Sequence, residues 1–93
     1  MNREKLFSVC ESAEKMLSEK SINAVVFPYG HDLPVVVVEI GWGDWKHDHA
    51  RAKWLMQEQG CVLLKSDVIE ENGSDCYSAA HYFYVEGMHD EAV

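Results

Sequence analysis

Two histidines and an aspartate stand together near the middle of the chain, as His47-Asp48-His49 in the segment VVVVEIGWGDWKHDH. Imidazole and carboxylate groups are common zinc ligands and common acid–base catalysts. On a helix, however, residues two positions apart point about 200° away from each other. His47 and His49 therefore cannot hold one ion, and no other cysteine or histidine pair has a convincing zinc spacing. We predict neither a metal site nor a cofactor.

The other residue types that catalyse reactions are isolated in the sequence. Cys10 falls on the apolar stripe of a predicted helix, which favours a buried and inert thiol. His81 falls in the middle of a predicted strand, where a hydrogen-bonded core histidine is the simplest interpretation. The chain has no GxSxG, P-loop or GxGxxG motif. We therefore predict no catalytic residue, and keep His49, His81 and Tyr82 as the residues of an alternative ligand-binding or enzymatic site.

The charge of the chain limits its partners. The 93 residues include 16 acidic and 8 basic ones, which gives a formal net charge of −8. Domains that bind nucleic acid directly usually carry the opposite balance, because phosphate groups attract lysine and arginine. The acidic balance favours either simple solubility or a surface that binds a basic protein, including a surface that imitates nucleic acid.

The cysteines and the apolar segments indicate the compartment. Cys10, Cys61 and Cys76 form an odd and sparse set, which argues against a disulfide framework and for a reducing environment. The amino-terminal segment does not resemble a signal peptide, and no apolar run approaches the roughly 20 residues of a membrane span. We expect a cytoplasmic protein that does not contact a membrane.

Apolar periodicity and turn residues predict two helices and four strands. Steps of three and four predict helices at 3–19 and 45–59, with Asp44 and Gly60 at the ends of the second. β-Branched and aromatic runs predict strands at 22–27, 34–40, 61–69 and 76–86. Asn72-Gly73 indicates a tight hairpin turn. Residues 87–93 are expected to form a flexible tail on a single domain that spans 1–93.

The order αββαββ restricts the topology. Strands 2 and 3 flank the second helix through short connections, so they should run parallel in a right-handed crossover. Strand 4 then returns between them and gives an antiparallel sheet of order 1-2-4-3, with both helices on one face. This two-layer α+β sandwich resembles a permuted ferredoxin-like fold whose first strand has moved to the end. That fold alone implies no function.

Both sides of the predicted sheet are apolar. The Asn72-Gly73 turn sets a register in which three pairs face the helices: Val62–Phe83, Leu64–His81 and Val68–Tyr77. The helix-facing side is completed by Val25, Phe27, Val36, Val38 and Ile40. The open side should hold Cys61, Leu63, Lys65, Ile69, Tyr82 and Tyr84 and, if the first hairpin turns at Gly30-His31, Ala24, Val26, Val35, Val37 and Glu39.

An exposed apolar face usually marks an interface, and the other interpretation is that the tail or a further segment of the chain covers it. The main hypothesis is therefore a small acidic protein-binding or regulatory domain without catalytic activity, which acts as a homodimer through its open sheet face and has a basic protein as a further possible partner. The alternative is a small-molecule-binding or enzymatic module with its site at an oligomer cleft. Trp54 is predicted on the solvent side of the second helix, where tryptophan often contributes strongly to binding. The candidate partner-binding residues are Val35, Val37, Leu63, Tyr82, Tyr84 and Trp54.

Overall fold

The six predicted elements are present, and their ends differ from the predicted ones by no more than two residues. The structure, a computed structural model, describes residues 2–30, 33–41, 45–70 and 77–86. The elements are α1 (Arg3–Glu19), β1 (Ala24–Pro28), β2 (Val35–Gly41), α2 (Trp45–Glu58), β3 (Val62–Glu70) and β4 (Tyr77–Tyr84). The predicted Asp44 cap, the Asn72-Gly73 turn, Cys76 and the tail from residue 87 lie outside the described residues.

Helix α1 forms because its apolar side chains repeat at helical spacing and its first turn is capped. The side chain of Asn2 accepts a hydrogen bond from the backbone N–H of Lys5 at 2.8 Å, which satisfies an amide that the helix leaves open. The predicted stripe is buried: Leu6, Val9, Cys10, Ala13 and Leu17. Met16 is partly buried against the same core.

The four strands form one antiparallel sheet of order β1-β2-β4-β3, as predicted. Helix α1 packs mainly on β1, and α2 packs on β4 and β2. Residues of both helices and of one side of the sheet form a single buried cluster, so both helices cover the same face. Gly60 has a φ of 92°, the left-handed conformation that lets the chain leave α2 and enter β3.

The predicted register of β3 on β4 is wrong. The structure pairs Ser66 with His81 and Val68 with Ala79, which is two positions away from the predicted pairs. The register then changes by one residue between Leu63 and Lys65, so that Leu64 forms a bulge. A bulge reverses the side of the sheet to which the residues beyond it point. On the carboxyl-terminal side of the bulge, Lys65 lies on the open side of the sheet, as predicted.

On the amino-terminal side of the bulge, the residues of β3 point to the opposite side of the sheet from the one predicted. Leu63 pairs with the core residue Phe83 and packs against the core, so it does not belong to the open face as predicted. Cys61 is likewise buried in the core cluster. Val62 pairs with Tyr84 and is exposed on the open face. Burial of Leu63 against Phe83 offsets the local loss of ladder hydrogen bonds that a bulge causes.

The predicted sides of β1 are also exchanged. A turn at Gly30-His31 would pair Val26 with Val35, whereas the structure pairs Val26 with Val38. A shift by an odd number of residues turns every side chain of a strand to the other face. Ala24 and Val26 therefore belong to the core, while Val25 and Phe27 lie on the open face.

The bulge can be tested by truncating its two neighbouring leucines separately. Leu63→Ala should lower the free energy of unfolding by about 1–2 kcal/mol, because a half-buried side chain leaves the core. Leu64→Ala should change it by less than about 0.5 kcal/mol, because that side chain is exposed. Urea denaturation followed by circular dichroism measures both values. A larger loss for Leu64→Ala would restore the register predicted without a bulge.

Candidate functional site

The side of the sheet that faces away from the helices is the candidate site, and we call it the open face. Cross-strand pairing places two complete rows of residues on it. The first row runs Phe27–Val37–Tyr82–Lys65, and the second runs Val25–Glu39–Ala80–Asp67. Val35, Tyr84 and Val62 form part of a third row. Apolar side chains thus cross the whole sheet, with charged groups towards one end.

The predicted partner-binding residues of the open face differ in burial. Tyr82 and Tyr84 lie on the open face, half-buried and exposed respectively. Val35 and Val37 lie on the same face but are buried, Val37 with only 3% of its surface exposed. The exposed apolar area comes instead from β1 and β3, where Val25 is 56% exposed and Val62 is similarly open.

Trp54 is separated from the open face. Its side chain is 59% exposed on α2, as predicted, while Ala52 and Met56 on the opposite side of that helix are buried in the core. Because α2 covers the other side of the sheet, Trp54 cannot contact the same patch of a small partner as Tyr82. The sequence likewise predicts Trp54 on the solvent side of the helix layer and Tyr82 on the opposite face of the sheet.

A groove of about 230 Å³ opens at the centre of the open face. It forms because the small Ala80 stands between two longer carboxylate side chains, Glu39 on β2 and Asp67 on β3. Aromatic rings close the other end of the groove: Phe27, Tyr29 and Tyr82. The ring of Tyr29 meets the ring of Tyr82 edge to face, with centroids 5.5 Å apart.

Lys65 already places a positive charge at the edge of this groove. Its Nζ lies 4.4 Å from the centroid of the Tyr82 ring and 3.6 Å from Oδ2 of Asp67. An ammonium over the face of a tyrosine is attracted by the negative potential of the ring. Tyr82 and Asp67 on the open face thus contact the ammonium group of Lys65 together. Tyr29 and Asp67 escaped the sequence interpretation because they lie on a turn and on an edge strand.

A second cluster of polar side chains lies on the helix side of the sheet. His81 is only 2% exposed, yet both of its ring nitrogens have partners. Nε2 lies 2.7 Å from the backbone carbonyl oxygen of His49, and Nδ1 lies 2.6 Å from Oγ of Ser66. Because a carbonyl only accepts hydrogen bonds, Nε2 carries the proton, and Nδ1 accepts the hydroxyl proton of Ser66. The ring of His49 stacks on that of His81, with centroids 3.6 Å apart.

Burial keeps both imidazoles neutral. Loss of hydration lowers the pKa of His81 to about 4 against the hydrogen bond to the backbone of His49, which raises it, and the positive charge of Lys53 acts in the same direction as burial. Burial also lowers the pKa of His49, against a hydrogen bond to the backbone of Ala80 that raises it. A base with so low a pKa is poorly matched to proton abstraction at neutral pH. The structure thus confirms the interpretation of His81 as a hydrogen-bonded core histidine. Its hydrogen bond to the backbone of His49 joins β4 to α2.

The described thiols are unreactive. Cys10 and Cys61 are free and buried, and burial raises the pKa of each to about 11. Because the thiolate is the reactive form, neither sulfur is prepared for nucleophilic or redox chemistry at neutral pH. Among residues 2–30, 33–41, 45–70 and 77–86, no group of three or more potential ligands is placed to hold a metal ion.

A wider cleft of about 370 Å³ lies between α1 and β1. On its inner side, Glu14 accepts a hydrogen bond from the backbone N–H of Val26 at 3.1 Å. Since β1 is at the edge of the sheet, this carboxylate occupies a donor that another strand would otherwise pair with. The contact protects an edge of the sheet from unwanted pairing.

The geometry defines a class: an α+β domain with helices on one side of its sheet and an apolar, acidic groove on the other. Comparison with family models, curated proteins and solved structures finds no match for this chain. Neither of the two described helices combines the length and apolar character needed to cross a membrane.

Proposed function

We propose that this chain is a protein-binding domain without catalytic activity, and that its open face is the interface. The observation that carries the proposal is the open face: no helix or strand among the described residues packs over it, and Val25, Phe27, Val62 and Tyr84 are exposed there. Aliphatic side chains mixed with tyrosine are typical of the central part of protein interfaces. A two-layer domain without a partner would normally present polar side chains there.

Charge favours a basic protein as the partner on this face. Glu39 and Asp67 project from it, and the whole chain has a net charge of −8. Two copies of the chain would bring like charges together, whereas a basic partner would be attracted over distance. A homodimer through the same face is the second candidate, favoured by the exposed Val25 and Val62, and it should strengthen with salt as repulsion is screened.

A ligand-binding or enzymatic module is the alternative from another class. Its strongest support is the groove itself, together with the exposed Ser66, whose hydroxyl is bonded to His81. We rank it lower because the low pKa of His81 weakens that residue as a base. We also propose a cytoplasmic location. The three cysteines of the chain are few and odd in number, and the two that lie in the described residues are free thiols, as in a reducing compartment.

The proposal predicts that removal of the aromatic ring at the centre of the open face abolishes partner binding. Tyr82→Ala should prevent the chain from retaining its partner in affinity capture, because the ring contacts Tyr29 and Lys65 in the middle of this surface. Trp54→Ala, which removes an exposed ring from α2, should retain the partner at the wild-type level. Circular dichroism confirms that both variants are folded.

Sedimentation of the purified chain distinguishes a different protein from a second copy of the chain as the partner on the open face. A monomer at all salt concentrations, together with capture that depends on Tyr82, supports a different protein as the partner. A dimer that becomes tighter with salt and is split by Tyr82→Ala supports the homodimer. Equal capture by the wild type and by Tyr82→Ala, with no dimer, would exclude the open face as an interface.

A further inference from the structure

We propose that the groove of the open face receives one arginine or lysine side chain from a basic segment of a partner protein, and that Lys65 occupies its edge until the partner arrives. This inference rests on the proposed function and adds the chemistry of the contact. It follows from the kinds of side chain around the groove, from the position of Lys65 and from the apolar surface on either side.

The groove offers a cation two kinds of attraction, from aromatic rings and from carboxylates. The rings of Phe27, Tyr29 and Tyr82 provide faces and edges within a small volume. Such rings attract guanidinium and ammonium groups most strongly when water is displaced. Glu39 and Asp67 stand on either side of Ala80 and supply two carboxylates to the same space. An arginine can pair with carboxylates through two parallel hydrogen bonds, whereas a lysine acts as a point charge.

Lys65 shows that a cation fits this environment and is also easy to displace. Its ammonium contacts the Tyr82 ring and the Asp67 carboxylate, but more than half of its side chain is exposed to solvent. A surface ion pair of this kind contributes little to stability. A partner cation that reaches both Glu39 and Asp67 can therefore replace Lys65, whose flexible side chain can turn away into water.

The surroundings of the groove favour a protein segment over a free amine. Val25 lies on one side of the groove, and Val62 and Tyr84 lie in the next row, all exposed. A small polyamine would fill the groove and leave these side chains in water. A peptide whose basic residue enters the groove would cover them with its neighbouring residues, which adds apolar burial to the charge contact.

The test uses the purified full chain and three synthetic nonapeptides, in which a central arginine, lysine or glutamine stands among the same glycine, leucine and serine residues. We expect the arginine peptide to bind most tightly and the glutamine peptide at least about tenfold more weakly, the factor that corresponds to one good cation–π contact. Titration calorimetry or fluorescence of the chain measures the affinities.

Matched variants separate the groove from general attraction between opposite charges. Lys65→Met should tighten binding of the arginine peptide several-fold, because the competing cation is gone. Lys53→Met removes the same charge from the exposed side of α2 and should leave the affinity within about twofold. Glu39→Gln and Asp67→Asn should each weaken binding about tenfold, whereas Glu58→Gln, on α2, should not.

Each outcome bears on the inference directly. Equal effects of Lys65→Met and Lys53→Met, or of Asp67→Asn and Glu58→Gln, would mean that binding is diffuse and would overturn it. Spermine that competes fully with the peptide and binds as tightly would overturn the choice of a protein segment. If the inference fails in this way while partner capture still depends on Tyr82, the open face remains the interface and only the cation contact is wrong.

Discussion

Lowering the pH from 7 to 4 should reduce the free energy of unfolding by about 3 kcal/mol through His81 alone. In the unfolded chain this imidazole takes up a proton near its ordinary pKa of 6.5, whereas in the folded protein its pKa is about 4. Between these values the unfolded state binds more protons, so stability falls as the pH falls. The loss begins near pH 6.5 and is nearly complete near pH 4.

The neighbouring His49 acts in the same direction, because its pKa is also lowered by burial. Protonation of either ring would place a positive charge against the other at a centroid distance of 3.6 Å. The domain should therefore be less stable in mild acid than at neutral pH, and the stacked pair that joins α2 to the sheet should be an acid-sensitive part of its core.

Urea denaturation at a series of pH values measures the effect. His81→Gln should be less stable than the wild type at pH 7, but its stability should change much less between pH 6.5 and 4. His47→Gln, which replaces an exposed imidazole on α2, should keep the wild-type slope. If His81→Gln is too unstable to measure, Ser66→Ala, which removes only the hydroxyl bonded to Nδ1, should still show a steep slope. Identical slopes in His81→Gln and the wild type would contradict the prediction.

Phe83→Ala should lower the free energy of unfolding by about 3–5 kcal/mol, whereas Tyr84→Ala should lower it by less than about 1 kcal/mol. The two residues are adjacent on β4 but point to opposite sides of the sheet. Phe83 is fully buried in the core and lies against the ring of His81, whereas Tyr84 is exposed and its hydroxyl bonds to the carboxylate of Glu86. Truncation of Phe83 leaves a cavity, and truncation of Tyr84 does not.

Chemical denaturation of both variants at neutral pH tests this contrast. Since small domains are stable by only about 5–15 kcal/mol, Phe83→Ala can approach complete unfolding at room temperature. Phe83→Leu then serves as the measurable variant, with a smaller loss that should still exceed that of Tyr84→Ala. A larger loss for Tyr84→Ala than for Phe83→Ala would mean that the two faces of the sheet are assigned the wrong way round, and equal losses would contradict the difference in burial.

The helices and the topology were predictable from the sequence alone. The stripe of α1 was identified because apolar residues recur every three or four positions, and it contains the residues that are buried. The same periodicity placed Trp54 in solvent and Ala52 and Met56 in the core. The order 1-2-4-3 followed from short connections around α2 and from the handedness of crossovers, both of which are local constraints on the chain.

Which side chains of β1 and of the first part of β3 point into the core was not predictable, because both strands are apolar at odd and even positions alike. In INAVVF and CVLLK, either alternate set could enter the core, so the two-residue period carried no information. The choice was made by register. Pairing of Val26 with Val38, and a bulge at Leu64 that brings Leu63 against Phe83, decided which side chains are buried.

The groove depends still more on tertiary structure. Its aromatic and carboxylate groups come from all four strands, and Ala80 makes room for them only because pairing sets it between Glu39 and Asp67. The sequence determined that a small acidic α+β domain would have one apolar sheet face on the side away from its two helices. Which residues form that face, and that Lys65 lies there beside Tyr82 and Asp67, was decided by strand registers that local propensity does not encode.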